Sequence, residues 1–411
     1  MFKSLLSVSD FASGELGTIA GHLSAATLSV VTSLKALRDL EAKWHDLEHD
    51  TLNHSSVFQS FDWVMTWAET YIANNSRTSL HIIAGYEAEK LVFLWPLMRT
   101  KQMGFDTLTW LTEPFGQYGD VMCRKGQNSK LWIESALTFM KRLRDVDILR
   151  LRHVRADSHL AVHAAQLLHD ARAPDGAPFL DLQQFATEDA YDERYTSTQR
   201  KRRKKIRKAL EELGSVSFIQ LPTGSSADAA VRMAIAEKNI WLAERGRINR
   251  VLGCPQHLTF LKNLSRRRNG TVEVVVSEMK AGDKPVSWEV GFRHRGTHYG
   301  YITSHVNALT NLSPARLHMD QSQRDCLNAG MAVFDLMVPN DIHKESWSSG
   351  VVTTNDYYLP ISTAGAALGH GFIRTLRPLL RKAYYRMDAS TLRKLNWKAA
   401  FTGKVKRPEE S

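Results

Sequence analysis

The chain has 411 residues, 43% of them hydrophobic and 24% charged, with 54 Lys and Arg against 43 Asp and Glu for a net charge of +11. Single cores stop growing at about 250–300 residues, so this length predicts two domains. The composition is that of a soluble globular protein: no apolar run reaches the ~18–20 residues of a membrane-spanning helix, and Met1 to Val8 is too short an apolar patch for a secretory leader. The excess positive charge points to anionic partners, whether phosphates, acidic glycans, nucleic acid or lipid headgroups, without choosing among them. Three cysteines, Cys123, Cys254 and Cys326, lie far apart with no Cys-x-x-Cys among them, so neither a disulfide framework nor a structural zinc site is indicated.

In chain order, a β-branched run at 28–32 leads to a helix whose apolar positions Leu34, Leu37, Leu40, Trp44 and Leu47 share one face, with Ser33 as its N-cap. A helix over 61–71 follows, then strands at 80–86, 91–98 and 105–111, the first two joined by a polar turn at 87–90. A Gly/Pro-rich stretch at 113–126 precedes a helix at 131–143, a strand at 147–151, a helix at 159–169 and a strand at 179–182. One long helix is predicted over 193–213, carrying the basic run Arg200 to Lys208 on its solvent side and stopped by Gly214.

The second half repeats the order. A strand at 216–221, helices at 227–244 and 255–268, strands at 272–279, 285–293 and 298–304, a loop at 305–314, a helix at 315–329 closed by Gly330 and a strand at 332–336 are predicted. An apolar and basic segment at 368–397 predicts one or two terminal helices, and 402–411 reads as a disordered tail.

Each half therefore reads β-α-α-β-β-β-α-β, the order of the GNAT N-acetyltransferase fold, and the pair resembles the FemAB-like branch of that superfamily. Residues carry the resemblance as well as order. The basic helix ending at Leu210-Glu211-Glu212-Leu213-Gly214 looks like that branch's domain junction, and Trp241, Arg245-Gly246 and His257 look like its helix pair. Val290-Gly291-Phe292 resembles its central strand, and Ser313-Pro314-Ala315, Gly330, Phe334-Asp335 and Lys344-Glu345-Ser346-Trp347 resemble its series of Ser-Pro-Gly, Gly, Asp and Tyr-Lys-x-x-Trp/Phe motifs. Phe58, Trp63 and Trp67 match a similar opening in the first half. Ala315 stands where the family has glycine, and His343 where it has tyrosine. The nearest subgroup is that of acetyltransferase-like proteins associated with bacterial cellulose and other exopolysaccharide synthesis.

The resemblance implies an α/β fold of two tandem GNAT-like domains with mixed central sheets flanked by helices: an extension at 1–27, a first domain at 28–192, a basic linker helix at 193–214, a second, cofactor-binding domain at 215–362 and a helical C-terminal segment with tail at 363–411. It implies acetyl-CoA as cosubstrate, met by Leu312, Ser313, Pro314, Ala315, Arg316 and Leu317, with Arg316 as a phosphate partner and no metal. Backbone N–H groups at a helix start suit a pyrophosphate, which is what Ser-Pro opening a helix offers. The first-half loop at 117–129 lacks such a start, so one cofactor site per chain is expected, with the first half as a wall of the acceptor cleft.

Acyl transfer needs a group to take the acceptor's proton. Asp335 and His305 are the catalytic candidates, Asp335 being equally readable as a cap of the next turn and His305 as a solvated loop residue. Glu289 is a further titratable group of the same region. Lys344, Trp347, Trp288 and Tyr301 are assigned to substrate binding, with a solvated Lys344 and a core Trp347 as the alternative. The basic run admits nucleic acid, but it has no interleaved aromatics and reads first as a solvated helix.

The function expected is a cytoplasmic acyl-CoA-dependent N- or O-acyltransferase acting on a sugar-containing or polysaccharide acceptor, with polysaccharide-synthesis machinery as an associated partner. Two alternatives stand beside it: a FemAB-type aminoacyl-tRNA-dependent transferase on a cell-wall precursor, and a catalytically silent GNAT-like scaffold, to which Ala315 and His343 point.

Overall fold

The computed structural model describes residues 17–18, 26–51, 57–72, 77–171, 174–267 and 270–395. The chain divides into two compact units, one formed by the chain up to Gly176 with Val352–Arg381, the other by Ala177–Val351 with the chain from Lys382 onward.

Unit 1 opens with β1 (Gly17–Thr18), β2 (Ala26–Val31), α1 (Leu34–Asp39) and α2 (Glu41–Asp50). Ser33 caps α1 by accepting from the Ala36 N–H. The single helix expected over this stretch is two, because the N–H of buried Leu40 bonds the Leu37 carbonyl at 3.2 Å and tightens the turn there. Then come α3 (Phe61–Tyr71), β3 (Thr78–Glu87), β4 (Lys90–Gln102), β5 (Phe105–Trp110), β6 (Met122–Cys123), α4 (Ser129–Met140), β7 (Ile148–Arg155), α5 (His159–Leu167) and β8 (His169–Asp170). Strands β2 to β5 form the antiparallel meander, and β7 joins β5 in parallel at Thr107↔Ile148 and Leu108↔Leu149. Alternate residues of these strands, Ile83, Phe93, Trp95, Leu97 and Leu149 among them, meet Trp132, Ile133 and Leu137 of α4 and Leu160 of α5 in one core.

The chain enters unit 2 through β9 (Asp175–Asp181) and continues as α6 (Glu188–Glu193), α7 (Ser197–Glu211), β10 (Val216–Leu221), α8 (Ser225–Glu244), α9 (Gln256–Ser265), β11 (Glu273–Ala281), β12 (Lys284–His294), β13 (Thr297–His305), α10 (Pro314–Asn328), β14 (Val333–Asp335) and α11 (Ile342–Glu345). The one long helix expected around the basic run is also two. Thr196 starts α7 with a capping box, its hydroxyl accepting from the Gln199 N–H while the Gln199 side chain accepts from the Thr196 N–H at 2.9 Å. Strands β10 to β13 are antiparallel neighbours, β14 lies parallel to β13, and β9 pairs antiparallel with β14 through Phe334↔Leu180. Ile206, Leu210 and Leu317 pack α7 and α10 over Met279, Ala281 and Val286 of the sheet.

A strand that the sequence reading left out, β15 (Gly350–Pro360), carries the chain back to unit 1, where it pairs antiparallel with β7. α12 (Thr363–Ala366), a π-helical stretch Ala367–Leu376, α13 (Arg377–Arg386) and α14 (Ala389–Leu395) follow. The tail at 402–411 lies outside the described residues, as does most of the extension at 1–27.

Candidate functional site

The site begins with a mismatch in strand length. β13 pairs with β12 from Thr297 to His305, but with β14 only at Thr297↔Val333, His298↔Phe334 and Tyr299↔Asp335. From Gly300 to His305 its other edge has no strand partner among the described residues, so backbone polar groups line an opening between two parallel strands. The β12–β13 register shifts at Val290/Gly291, where Gly291 faces Gly300 and Val290 faces Ile302. Tyr301 is the extra residue of that bulge, and its ring packs 4.9 Å from Phe292 and 5.7 Å from His257. Burial raises its phenol pKa.

One end of the opening is electropositive. Ser313 holds a left-handed backbone, φ 55° and ψ 46°, and Pro314 occupies the first turn of α10, whose missing N–H is no loss there. The N–H of Arg316 turns to the Ser313 carbonyl at 3.0 Å, leaving that of Ala315 as the donor of this helix start. Burial lowers the Arg316 pKa, and the charge of Arg202 on α7 lowers it further. Among the described residues neither guanidinium has an ion-pair partner. Arg316 at a helix N-terminus, with the like charge of Arg202 acting on it, fits a polyanion such as a pyrophosphate, which would neutralise both. Leu312 and Leu317 serve differently: their side chains belong to the apolar layer under α7.

The other end is built from α8 and the segment after β14. Lys238 Nζ donates to the Thr303 carbonyl at 3.1 Å, on the uncovered stretch of β13. Burial lowers its pKa, opposed by the carboxylate of Asp341. The Lys238 ammonium and the Arg245 guanidinium lie 4.9 Å and 4.0 Å from the ring centre of Trp241. His305 contacts Thr310 Oγ1 at 3.1 Å, and burial, with the charge of Lys238, lowers its pKa so that the imidazole is neutral at pH 7. Asp335, 2% exposed, ends β14 with Oδ1 accepting the Met337 N–H at 2.7 Å. Lys344 Nζ donates to the carbonyls of Met337 and Pro339 at 2.7 and 2.9 Å, holding the turn that follows Asp335.

Trp288 and Trp347 do not reach this opening as exposed rings. Trp288 is 1% exposed with its indole N–H on Glu278 at 2.8 Å, and Trp347 packs with Tyr195, Tyr191 and Phe334; both fill core, so their large apolar area serves packing rather than a ligand. Beneath α10 lies a buried polar layer. His318 sits between the hydroxyls of Ser277 and Ser287, each at 2.8 Å, and His298 Nε2 meets Glu289 Oε1 at 2.8 Å. The wall at Gly291 must be glycine, since a Cβ there would stand 2.7 Å from the His298 ring. Lys238 and Arg202 escaped the sequence reading as site residues. Arg202 was hidden within a run read as solvated, while Lys238 had only its spacing of three from Trp241 to signal it.

In unit 1 the corresponding gap is closed. The Trp110 indole at the end of β5 donates to the Arg152 carbonyl of β7 at 2.9 Å, and Arg152 pairs with Glu113 at 3.0 Å.

Residues 199–345 match the family model described as "Acetyltransferase (GNAT) domain". The matched residues all lie in unit 2. The opening beside β13, the start of α10 and the turn after β14 all fall within those residues. The structure described as "Crystal structure of FemX" is similar in fold, with 11% identity over 78% of this chain and 96% of that one and a TM-score of 0.52. A "Tandem GNAT protein from the clavulanic acid biosynthesis pathway" aligns at 10% identity over 82% of this chain and 99% of that one, with a TM-score of 0.48. No curated protein matches the chain in sequence. Among the described residues no group of His, Cys, Asp and Glu is arranged to hold a metal ion, and no helix is long and apolar enough to cross a membrane.

Proposed function

We propose that unit 2 moves an acyl group, acetyl in the simplest case, from coenzyme A to an amine or hydroxyl of a sugar-containing acceptor. The observation that carries this reading is the uncovered edge of β13 from Gly300 to His305, with Arg316 at the start of α10 and the charge of Arg202 acting on it. In it, the two guanidiniums and the N–H of Ala315 hold the pyrophosphate, and the uncovered edge of β13 pairs with the extended amide arm as a further strand would. The neutral His305 takes the proton of the attacking amine or hydroxyl, the acyl carbon bonds the acceptor as its bond to sulfur breaks, and the thiolate leaves and is protonated. The Asp335 carboxylate orients the acceptor, Lys344 fixes the turn that borders it, and Trp241 with Lys238 and Arg245 offers a ring face and positive charge to a sugar with acidic substituents. The sugar assignment rests on the likeness of the sequence motifs to proteins associated with exopolysaccharide synthesis, whose machinery would be a partner.

A second reading draws on the exposed side of α7, where Lys201, Lys204, Lys205 and Lys208 have no acidic partner among the described residues: the donor would be an aminoacyl-tRNA instead. Isothermal titration decides between them. Saturable binding of acetyl-CoA that weakens at least about tenfold in Arg202→Ala/Arg316→Ala supports the first reading. A folded sample that binds neither acetyl-CoA nor longer acyl-CoAs overturns it, and titration with aminoacyl-tRNA then separates the second reading from a silent scaffold.

A further inference from the structure

Unit 2 holds a cavity of about 170 Å³ that shares no residue with the opening beside β13. Arg194 is the only charged side chain among the described residues lining it, and Gln184, Gln199, Ser346, Ser348 and Ser349 supply the rest of its polar wall. The cation is half-buried and held by aromatic rings, its guanidinium carbon 4.4 Å from the ring centres of both Tyr191 and Tyr195. Its Nη2 donates to the Tyr191 and Tyr195 hydroxyls and to Gln323 Oε1, the last at 2.8 Å. Rings and neutral oxygens fix a guanidinium in place without neutralising it.

The neighbouring acids are committed to other cations. Asp320 pairs with Arg203 at 2.7 Å and with Arg324 at 3.1 Å, Asp192 with Arg203 at 3.3 Å and with Arg324, and Glu188 with Arg324 at 3.1 Å. Among the described residues Arg194 has no ion-pair partner, its Nη1 makes no hydrogen bond and its Nε is buried without an acceptor. A guanidinium drawn out of water without a counter-charge is costly, and an anion in the cavity would supply one. Two further donors line the same space, each left available by a local bond. Gln199 Oε1 accepts the Thr196 N–H at 2.9 Å in the capping box, which leaves the hydrogens of its Nε2 to the cavity. Ser349 Oγ accepts the Asp181 N–H at 2.9 Å, which leaves its own hydrogen to donate. Gln184, Ser346 and Ser348 already donate to the carbonyls of Asp181, His343 and Glu345.

We propose that this cavity is a phosphate-binding site, with Arg194, Gln199 and Ser349 donating to a phosphate dianion that is free or part of a small phosphomonoester. Three donors from three segments, one of them a cation, match an anion with several oxygens, and no carboxylate among the described lining residues repels it. A water occupies ~30 Å³ in the liquid, so 170 Å³ takes a phosphate group and only a few further atoms, and the bound part of the ligand is small. The inference stands apart from the acyl-transfer reading, because it uses none of the residues of that site.

Isothermal titration of the full chain with inorganic phosphate and with glycerol 3-phosphate, at constant ionic strength in chloride, tests it. Saturable binding of either probe, weakened at least about tenfold by Arg194→Met and by Gln199→Glu, is the expected result, and the tighter probe shows whether the group arrives free or esterified. Glutamate keeps the capping box with Thr196, and so the start of α7, while putting a negative charge where the amide donates. Its unfolding midpoint stays close to the parent's, so its lost affinity reports the site even if Arg194→Met, which also gives up the bonds to Tyr191, Tyr195 and Gln323, unfolds. No saturable binding by the folded parent overturns the proposal, as does equal affinity in parent and Gln199→Glu. Binding that survives Gln199→Glu and is lost in Arg202→Ala/Arg316→Ala places the phosphate at the start of α10 and equally sinks this site.

Discussion

Lys238 Nζ donates to the Thr303 carbonyl at 3.1 Å, at a point on β13 that β14 does not cover. The bond occupies a carbonyl that a strand would otherwise take, and it keeps an ammonium beside His305. Removing that charge has a signed effect. In Lys238→Met the His305 pKa rises towards its ordinary value, so the acid limb of the acyl-transfer rate moves to higher pH; in the parent the limb lies below pH ~6.5. Rate against pH for the two proteins checks this, and superimposable limbs would count against His305 as the proton acceptor.

Asp335 has a backbone task that can be separated from a chemical one. Asparagine keeps an oxygen for the Met337 N–H but cannot hold a negative charge. Asp335→Asn is expected to unfold within about 1 kcal/mol of the parent while losing at least about tenfold in kcat. If Asp335→Asn retains full kcat and Asp335→Ala unfolds more easily, the residue is a turn cap alone.

Lys344 makes two charge-assisted bonds to carbonyls of one turn. Lys344→Met is predicted to lower the unfolding free energy by about 1–3 kcal/mol, since hydrogen bonds to charged groups contribute about 1.5–3 kcal/mol and part of this side chain remains solvated. Urea unfolding at pH 7 measures it. A midpoint identical to the parent's would show that the turn holds itself.

The buried Glu289–His298 pair sets a pH window. Burial raises the Glu289 pKa, but His298 holds it below its usual range overall; burial lowers that of His298, but Cys326 and Glu289 carry it to about 10. The raised imidazole contributes stability that is fully present below about pH 6.5 and lost as pH passes 10; the lowered carboxylate contributes above about pH 4.5 and loses it in acid. Glu289→Gln leaves the imidazolium without its counter-charge and should cost about 3–5 kcal/mol at pH 7. Urea midpoints from pH 3 to 11 test both statements, and a variant curve that parallels the parent's throughout would refute them.

Much of the element order was legible because it depends on local pattern. The alternation of β11 to β13, the Ser-Pro start of α10 and its Gly330 stop, with φ at 72°, are signals within a few residues of each other. The break at Thr196 was equally local, a Thr-x-x-Gln capping box overridden by the apparent continuity of the basic run. Strand β15 was not found despite its Val and Tyr content, since β7, the strand it pairs with, lies some 200 positions earlier.

The sequence by itself determined two β-α-α-β-β-β-α-β runs, their helix caps and the residues at the start of α10, because propensity, capping and periodicity act over one or two turns of chain. Only the tertiary structure decided that β14 stops three residues into its pairing with β13, that the charge of Arg202 acts on Arg316, that Trp288 and Trp347 are core, and that Arg194, Gln199 and Ser349 line one cavity. Each of those depends on which element packs against which, and burial and charge proximity between distant segments leave no trace in local spacing.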